Sequence, residues 1–460
     1  MSINKFVTPG FLLSIDLLLV SFVNWIYWLL ISKLTTASEV GQATSVYSFA
    51  VLTSAIALLG FEYSLVKKSS SERSQILGTT IILESLITAA SIPVLLYFLG
   101  NLYQGSLYAL SWIAVGIVIF SSLRYILRYA LLGISDARSV LIVNSMGAAL
   151  QLLSGYIFVS IGFGAGGVLF SFLLNVLFIT GLSFLIARKS FQLCLGDLKY
   201  VKGIIKDALT NTPTPLAKTV IYSLSVVLLA SFGVSQTEIG IFYIALMLSL
   251  VAGGLAANIA FMVIPASIAS KTDMSSDSIR IGLSLTAPLI VILMVAPNSI
   301  LSLIGPEYVV AGNVLVVLAA AIFPYTIVVN AISKFNNLGK PRQIIVIGSI
   351  HVIVFLATFI LLVPSYGTLG AAFSILISSI SSAVASIIWL GRRPVQRYIF
   401  TSLVSIVSGL AAGYAVRLVL GSVHPFIGVL FSVAVVAIVI FGLKNTSPKE
   451  LLLMARGLLR

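Results

Sequence analysis

Apolar stretches of about 20 residues, the length that carries a helix across a bilayer's hydrocarbon, follow one another from end to end of the chain. They fall near 9–32, 42–66, 76–99, 107–132, 139–161, 166–187, 214–234, 239–268, 279–301, 311–333, 342–363, 368–390, 398–420 and 424–443. Fourteen such stretches leave almost no room for an aqueous domain in 460 residues. Composition agrees, with 59% hydrophobic and 9% charged residues, where a soluble domain carries about 25% charged. The expected fold class is an all-α polytopic membrane protein of about fourteen transmembrane helices.

A net charge of +14 would suggest nucleic acid in a soluble chain. Here the cations gather in every second loop: Lys67, Lys68 and Arg73, then Arg138, then Arg188, Lys189, Lys199, Lys202 and Lys206, then Lys271 and Arg280, Lys334, Lys340 and Arg342, and Arg392, Arg393 and Arg397. The opposite loops hold Lys33 beside Glu39, Glu238 and Glu307. This is the positive-inside pattern, which assigns the charge to topology and to anionic lipid, with no nucleic-acid partner. It places both termini in the cytoplasm and the chain in the cytoplasmic (plasma) membrane.

The first span lacks a small-residue cleavage site and reads as a retained helix. One cysteine, Cys194, excludes an internal disulfide, and two scattered histidines make no metal constellation. The chain carries no G-x-x-x-x-G-K-[ST] phosphate loop. No cofactor, catalytic residue or metal site is expected.

Two anchors show an internal duplication. Phe163-Gly164…Gly167…Phe170-Ser171 recurs as Tyr366-Gly367…Gly370…Phe373-Ser374, and Ser38-Glu39-Val40-Gly41 recurs as Thr237-Glu238-Ile239-Gly240. The offsets, 203 and 199, agree closely and imply a repeated six-helix unit. Because six is even, the copies run parallel, and transporters built this way place their path between the repeats. The glycines are expected to serve turns and close helix approach. The domains are then an N-lobe at 1–187, an interfacial amphipathic linker at 188–213, a C-lobe at 214–397, and two further helices with a tail at 398–460. In the linker Leu198, Val201, Ile205 and Leu209 recur at helical spacing opposite Lys199, Lys202 and Lys206.

The chain resembles the polysaccharide-transporter branch of the multidrug/oligosaccharidyl-lipid/polysaccharide exporter superfamily, which includes the Wzx-type flippases. The resemblance is carried by "IGPEYVVAGNVLVVLAAA" (304–321), "LGKPRQ" (338–343), "LVPSYGTLGAAFS" (362–374), "SKLTTASEVGQATSVYSF" (32–49) and "LLGFEYSLVKKSS" (58–70), with Pro213 and Pro215 at the entry to the seventh span. It implies two six-helix lobes around a central cavity, plus two C-terminal helices, moving a polyprenyl-phosphate or polyprenyl-diphosphate-linked sugar by alternating access. Glycosyltransferases, a polymerase or an oligosaccharyltransferase of the same pathway are the implied protein partners.

Charges within spans are costly and are functional candidates by default. Asp16, Glu84, Arg124 and Lys218 sit at similar depth on the first, third, fourth and seventh spans, and Arg128 lies one turn from Arg124 on the same face. Arginine suits phosphate through its planar donor fork. Glu84 is expected to be the intramembrane partner of Arg124, and the resemblance, in whose family the first and seventh helices face each other across the cavity, implies that Asp16 meets Lys218 there. The resemblance, whose cavity is lined mainly by spans 1, 2, 7 and 8, adds Asn24 and Asn258 as sugar contacts ahead of Gln151, Asn175, Asn330 and His351.

The leading expectation is a flippase for a lipid-linked oligosaccharide, feeding polysaccharide or glycoprotein assembly. Alternatives are a multidrug-type or peptidoglycan-precursor exporter of the same superfamily, or a membrane glycosyltransferase. The last usually shows an acidic cluster or large outer loops, and the outer loops here are short.

Overall fold

The computed structural model describes residues 4–443 apart from 59, 62–64, 66–71, 104–107, 135, 193, 195, 212–220, 271–274, 391–392 and 421–424. All regular structure among them is helical. In chain order the α-helices are α1 (Asn4–Leu34), α2 (Ala37–Leu58), α3 (Arg73–Leu102), α4 (Leu110–Gly133), α5 (Ala137–Ser160), α6 (Gly164–Ala187), α7 (Val201–Asn211), α8 (Ile221–Ser231), α9 (Gln236–Ser270), α10 (Ser275–Val295), α11 (Pro297–Ile304), α12 (Gly312–Asn337), α13 (Pro341–Leu390), α14 (Arg393–Leu420) and α15 (Pro425–Gly442).

Eleven helices among the described residues are long and apolar enough to cross a membrane. One of them, α13, is broken at Gly367, so its two arms correspond to separate stretches in the sequence. Two shorter apolar helices, Tyr222–Ser231 and Ile427–Gly442, lie where the seventh and last stretches were expected. The chain is a multi-pass membrane protein.

The duplicated motifs have matching local structures. At the start of α2, Glu39 accepts hydrogen bonds from the amide and hydroxyl of Thr36 at 3.0 and 3.2 Å, while the Glu39 amide donates back to the Thr36 hydroxyl at 3.3 Å. At the start of α9, Glu238 and Ser235 make the same reciprocal set at 3.3, 2.7 and 3.3 Å. Each is a capping box, which satisfies amides that a helix N-terminus would leave bare. The second motif is a helix–turn–helix: Gly164 and Gly367 both adopt positive φ, 49° and 53°, a region that disfavours other residues. Three positions on, Gly167 and Gly370 pass so close to the preceding helix end that a Cβ on Gly370 would press on the Leu362 carbonyl.

The chain forms two compact units, Ile15–Tyr243 and Ile244–Arg460 with Met1–Ser14. In the first, α2 packs on α3, α4, α6 and α8, and α6 also packs on α4 and α5. The first turns of α2 and α9 cross within this unit with no side chains between them. A Cβ on Gly41 would fall on the Gln236 carbonyl, and one on Gly240 on the Ala37 carbonyl. Ser45 then donates to the Gln236 side chain at 3.3 Å across the crossing. In the second unit α10 is the hub, against α12, α14 and α15. Arg417 and Tyr414 of α14 donate to the Val295 and Met294 carbonyls at 3.2 and 3.3 Å, filling acceptors that the end of α10 leaves open.

The linker is fixed to the first two turns of α3. The Asp197 amide donates to the Thr79 hydroxyl at 2.9 Å, the Gln192 amide to Ser74 at 3.1 Å, and the Tyr200 hydroxyl to Gln75 at 3.0 Å. A short 3-10 turn, Leu198–Tyr200, leads into α7, whose high amphipathicity matches the expected linker helix. Its buried face, however, is Tyr200 and Ile204, while Leu198 and Ile205 point outward.

The crossing of α2 and α9 yields a direct test. Gly41→Ala is expected to destabilise the detergent-purified protein by about 1–3 kcal/mol, because the new methyl meets backbone and not a yielding side chain. Gly181→Ala, with nothing within 4 Å, is the control and should leave the thermal midpoint unchanged. Equal midpoints for both variants would show that the crossing is loose.

Candidate functional site

The polar residues that the apolar helices carry converge inside the unit Ile15–Tyr243. Asp16 of α1 is 1% exposed and receives the Nη2 of Arg128 from α4 at 3.0 Å. Asn144 of α5 donates its Nδ2 to both Asp16 oxygens, at 2.9 and 3.0 Å. One carboxylate on α1 thus ties α4 and α5 to its own helix, each through one donor side chain. The geometry meets what a buried charge needs, a counter-charge plus hydrogen bonds to its remaining lone pairs.

Beside this triad lies a cavity of about 280 Å³. Asp16, Arg128 and Asn144 form part of its wall, and Asn24, Tyr27 and Tyr47 with Arg124, Gln151 and Asn175 form more of it. Asn175 donates to Gln151 at 2.7 Å and to the Gly147 carbonyl at 3.1 Å, which fastens α6 to α5. Gly147 permits the approach, since a Cβ there would collide with Ile179. Tyr27 is fixed by its hydrogen bond with Ser171 at 2.7 Å, and Phe172 stacks on Tyr47 with ring centroids 4.1 Å apart. The wall is therefore rigid, amide-rich and aromatic.

Arg124 stands apart within this wall. Its guanidinium lies 5.1 Å from the centre of the Tyr125 ring, a cation–π distance. Among the described residues no carboxylate is within ion-pair distance of it. Among the described residues the cavity lining holds two guanidinium groups and one carboxylate, a formal charge of +1. Such a site can accept an anionic group without stripping the pair that braces the helices.

Four sequence candidates, Asp16, Asn24, Arg124 and Arg128, meet in this cavity. Lys218 lies outside the described residues, and so does the side chain of Asn258 on α9. The expected Glu84–Arg124 pair does not form. Glu84, 2% exposed, accepts instead from Thr88 on its own helix, and Thr88 reaches Ser122 of α4 at 3.4 Å. Ser122 and Arg124 are two residues apart, about 200° around a helix, so the face of α4 that meets α3 is not the face that carries the guanidinium. Asp16 pairs with Arg128, and the expected contact of Asp16 with Lys218 lies outside the described residues.

Other intramembrane polar groups serve packing. Asn330 of α12 donates to the Thr326 carbonyl at 2.8 Å and accepts from Ser278 of α10. His351, 3% exposed, faces Ser379 at 3.5 Å across the two arms of α13. Asn144, Tyr27 and Tyr47 were missed by the sequence reading; Asn144 is an amide within an apolar stretch, the same signal that picked out Gln151.

No family model and no curated protein matches the sequence. Solved structures do match. A lipid II flippase, MurJ, in an inward closed conformation, superimposes with a TM-score of 0.73 over 93% of this chain and 97% of that one, at 15% identity. The chain has the fold of MurJ and the MATE transporters. An inward-facing multidrug resistance MATE transporter of the MOP superfamily gives a TM-score of 0.65 at 15% identity, over 83% of this chain and 95% of that one. The MATE multidrug transporter DinF-BH gives 0.60 at 15% identity, over 86% and 96%. These matching structures are a flippase and two multidrug transporters.

If the triad braces the unit, Arg128→Gln is expected to cost about 3 kcal/mol by leaving Asp16 buried without its cation. Asp16→Asn combined with Arg128→Gln should recover more than half of that. Glu84→Gln, which keeps a hydrogen-bonding partner for Thr88, should cost about 1 kcal/mol. Denaturation of the purified variants measures all three, and strictly additive costs for Asp16 and Arg128 would dissolve the pair.

Proposed function

We propose that the chain is a flippase that carries a polyprenyl-phosphate or polyprenyl-diphosphate-linked oligosaccharide from the inner to the outer leaflet of the cytoplasmic membrane by alternating access, for polysaccharide or glycoprotein assembly. The observation that carries this reading is Arg124, a cation in a polar cavity with no carboxylate partner among the described residues. Arg128 offers the cavity the donors that Asp16 leaves unused. A phosphate head group satisfies both arginines. The amides of Asn24 and Gln151 and the Tyr47/Phe172 stack suit the attached sugar, whose hydroxyls need partners and whose ring faces are apolar. The polyprenyl tail needs no protein cavity, because hydrocarbon already surrounds the bundle. Lys218 and Asn258 are the corresponding candidates from the second half of the chain.

A peptidoglycan precursor is the second reading, favoured by the overlap with a lipid II flippase. It shares the polyprenyl diphosphate and the sugar, and differs in the groups beyond them.

Reconstitution tests the reading. In proteoliposomes carrying a fluorescent polyprenyl-diphosphate sugar, the wild type is expected to expose label to an external quencher, and Arg124→Gln to lose at least about tenfold in rate while its thermal midpoint stays unchanged. An undiminished rate in a folded Arg124→Gln variant would remove Arg124 from the path. Competition by unlabelled lipid II, if stronger than by other polyprenyl-diphosphate sugars, selects the second reading.

The proposed orientation is testable at Cys194, the single cysteine, free and half-buried in the linker. A membrane-impermeant maleimide should label it only in opened cells. Labelling in intact cells would invert the topology.

A further inference from the structure

The linker after α6 exposes a face that the proposed transport cycle does not use. Tyr200 and Ile204 are buried, and the Thr79, Ser74 and Gln75 hydrogen bonds hold the segment on the first two turns of α3. Gly196 lies so close that a Cβ there would meet the main chain of Thr79. The position of the outer face is therefore set by α3. On that face Leu198 is 88% exposed and Ile205 41%. Lys199, Lys202 and Lys206 are exposed on the same segment, and Arg188 and Lys189 are exposed at the end of α6.

Leu198, Lys202 and Ile205 follow helical spacing along one face, so apolar and cationic side chains share the surface and do not segregate. Water would satisfy the lysines and penalise the leucine. A membrane interface satisfies both, with apolar side chains in the acyl boundary and ammonium groups at the phosphates. The height is suitable, because the attachment at Ser74–Thr79 coincides with the start of the apolar stretch of α3, whose span begins at Arg73. Charge selects the lipid. The segment 196–206 carries three lysines and one aspartate, Asp197, which is paired with Lys199 at 3.0 Å, and Lys202 and Lys206 are exposed.

We propose that the 196–206 segment is a docking surface for the anionic phospholipid headgroups of the leaflet at this end of the bundle, and that it ties the start of α3 to that leaflet. The inference is independent of the transported substrate.

The full chain is placed in nanodiscs of phosphatidylcholine alone and of an equimolar mixture with phosphatidylglycerol, and amide hydrogen exchange is followed through the segment. Exchange in the segment should be about tenfold slower in the anionic discs, and high salt should erase the difference. Lys202→Gln should shrink it, and the triple change Lys199→Gln, Lys202→Gln and Lys206→Gln should abolish it while the peptides of α3 exchange as in the wild type. Leu198→Ser should speed exchange in both discs. Equal exchange of the wild type in the two discs, or a difference that persists in Lys202→Gln undiminished, overturns the proposal. So does slowing by soluble glycerol phosphate in phosphatidylcholine discs, because the ligand would then be free phosphate and not a lipid surface.

Discussion

A carboxylate in hydrocarbon must find a cation or give up its charge, and Asp16, almost wholly buried, finds Arg128. Asn144 completes the arrangement by occupying both carboxylate oxygens. Three helices of the first unit are thereby fixed in rotation as well as distance, since a helix that turned by one residue would carry its polar group about 100° away. The cavity lies against that brace. Its second arginine, Arg124, sits one turn from the paired one and faces the same space. In the proposed reading, the separation of Arg124 from the Asp16–Arg128 brace would let a substrate anion bind without unravelling the wall.

The repeat supplies the rest of the framework by using the same devices twice. Capping boxes at Thr36/Glu39 and Ser235/Glu238 start corresponding helices, and positive-φ glycines at 164 and 367 reverse corresponding hairpins. Glycine also sets the tightest crossing, where Gly41 and Gly240 let two helix ends meet backbone to backbone. In lipid, where apolar side chains gain little by leaving hydrocarbon, such close packing and interhelical hydrogen bonds supply most of the association. The hydrogen bonds from Thr180 of α6 to the Phe120 carbonyl of α4 at 2.9 Å and from Ser278 of α10 to Asn330 of α12 act in the same way.

The helices were legible because hydropathy and length are written along the chain, and the turns because Gly164 and Gly367 recur in matching context. The partner of Glu84 was not legible. Equal depth suggested Arg124, but depth is one coordinate, and a contact also needs the right face and neighbour. Ser122 turns toward α3 and takes the place expected for Arg124, whereas Asp16 finds its cation on α4. The spacing of Arg124 and Arg128 did predict that they share a face, because one turn is a local property. The linker shows the same limit: its amphipathic period is visible in the sequence, yet the residues that α3 buries, Tyr200 and Ile204, depend on a docking partner more than a hundred residues away.

The central claim is that Arg124 receives the cargo's anionic group while the Asp16–Arg128 pair stays intact. The most direct measurement is an experimental structure of the full chain in a lipid disc with a polyprenyl-diphosphate sugar bound. The account predicts a phosphate oxygen within hydrogen-bonding distance of the Arg124 guanidinium, with Asp16 still bonded to Arg128 and Asn144. A phosphate seated elsewhere in the molecule, with Arg124 facing only water, would contradict it.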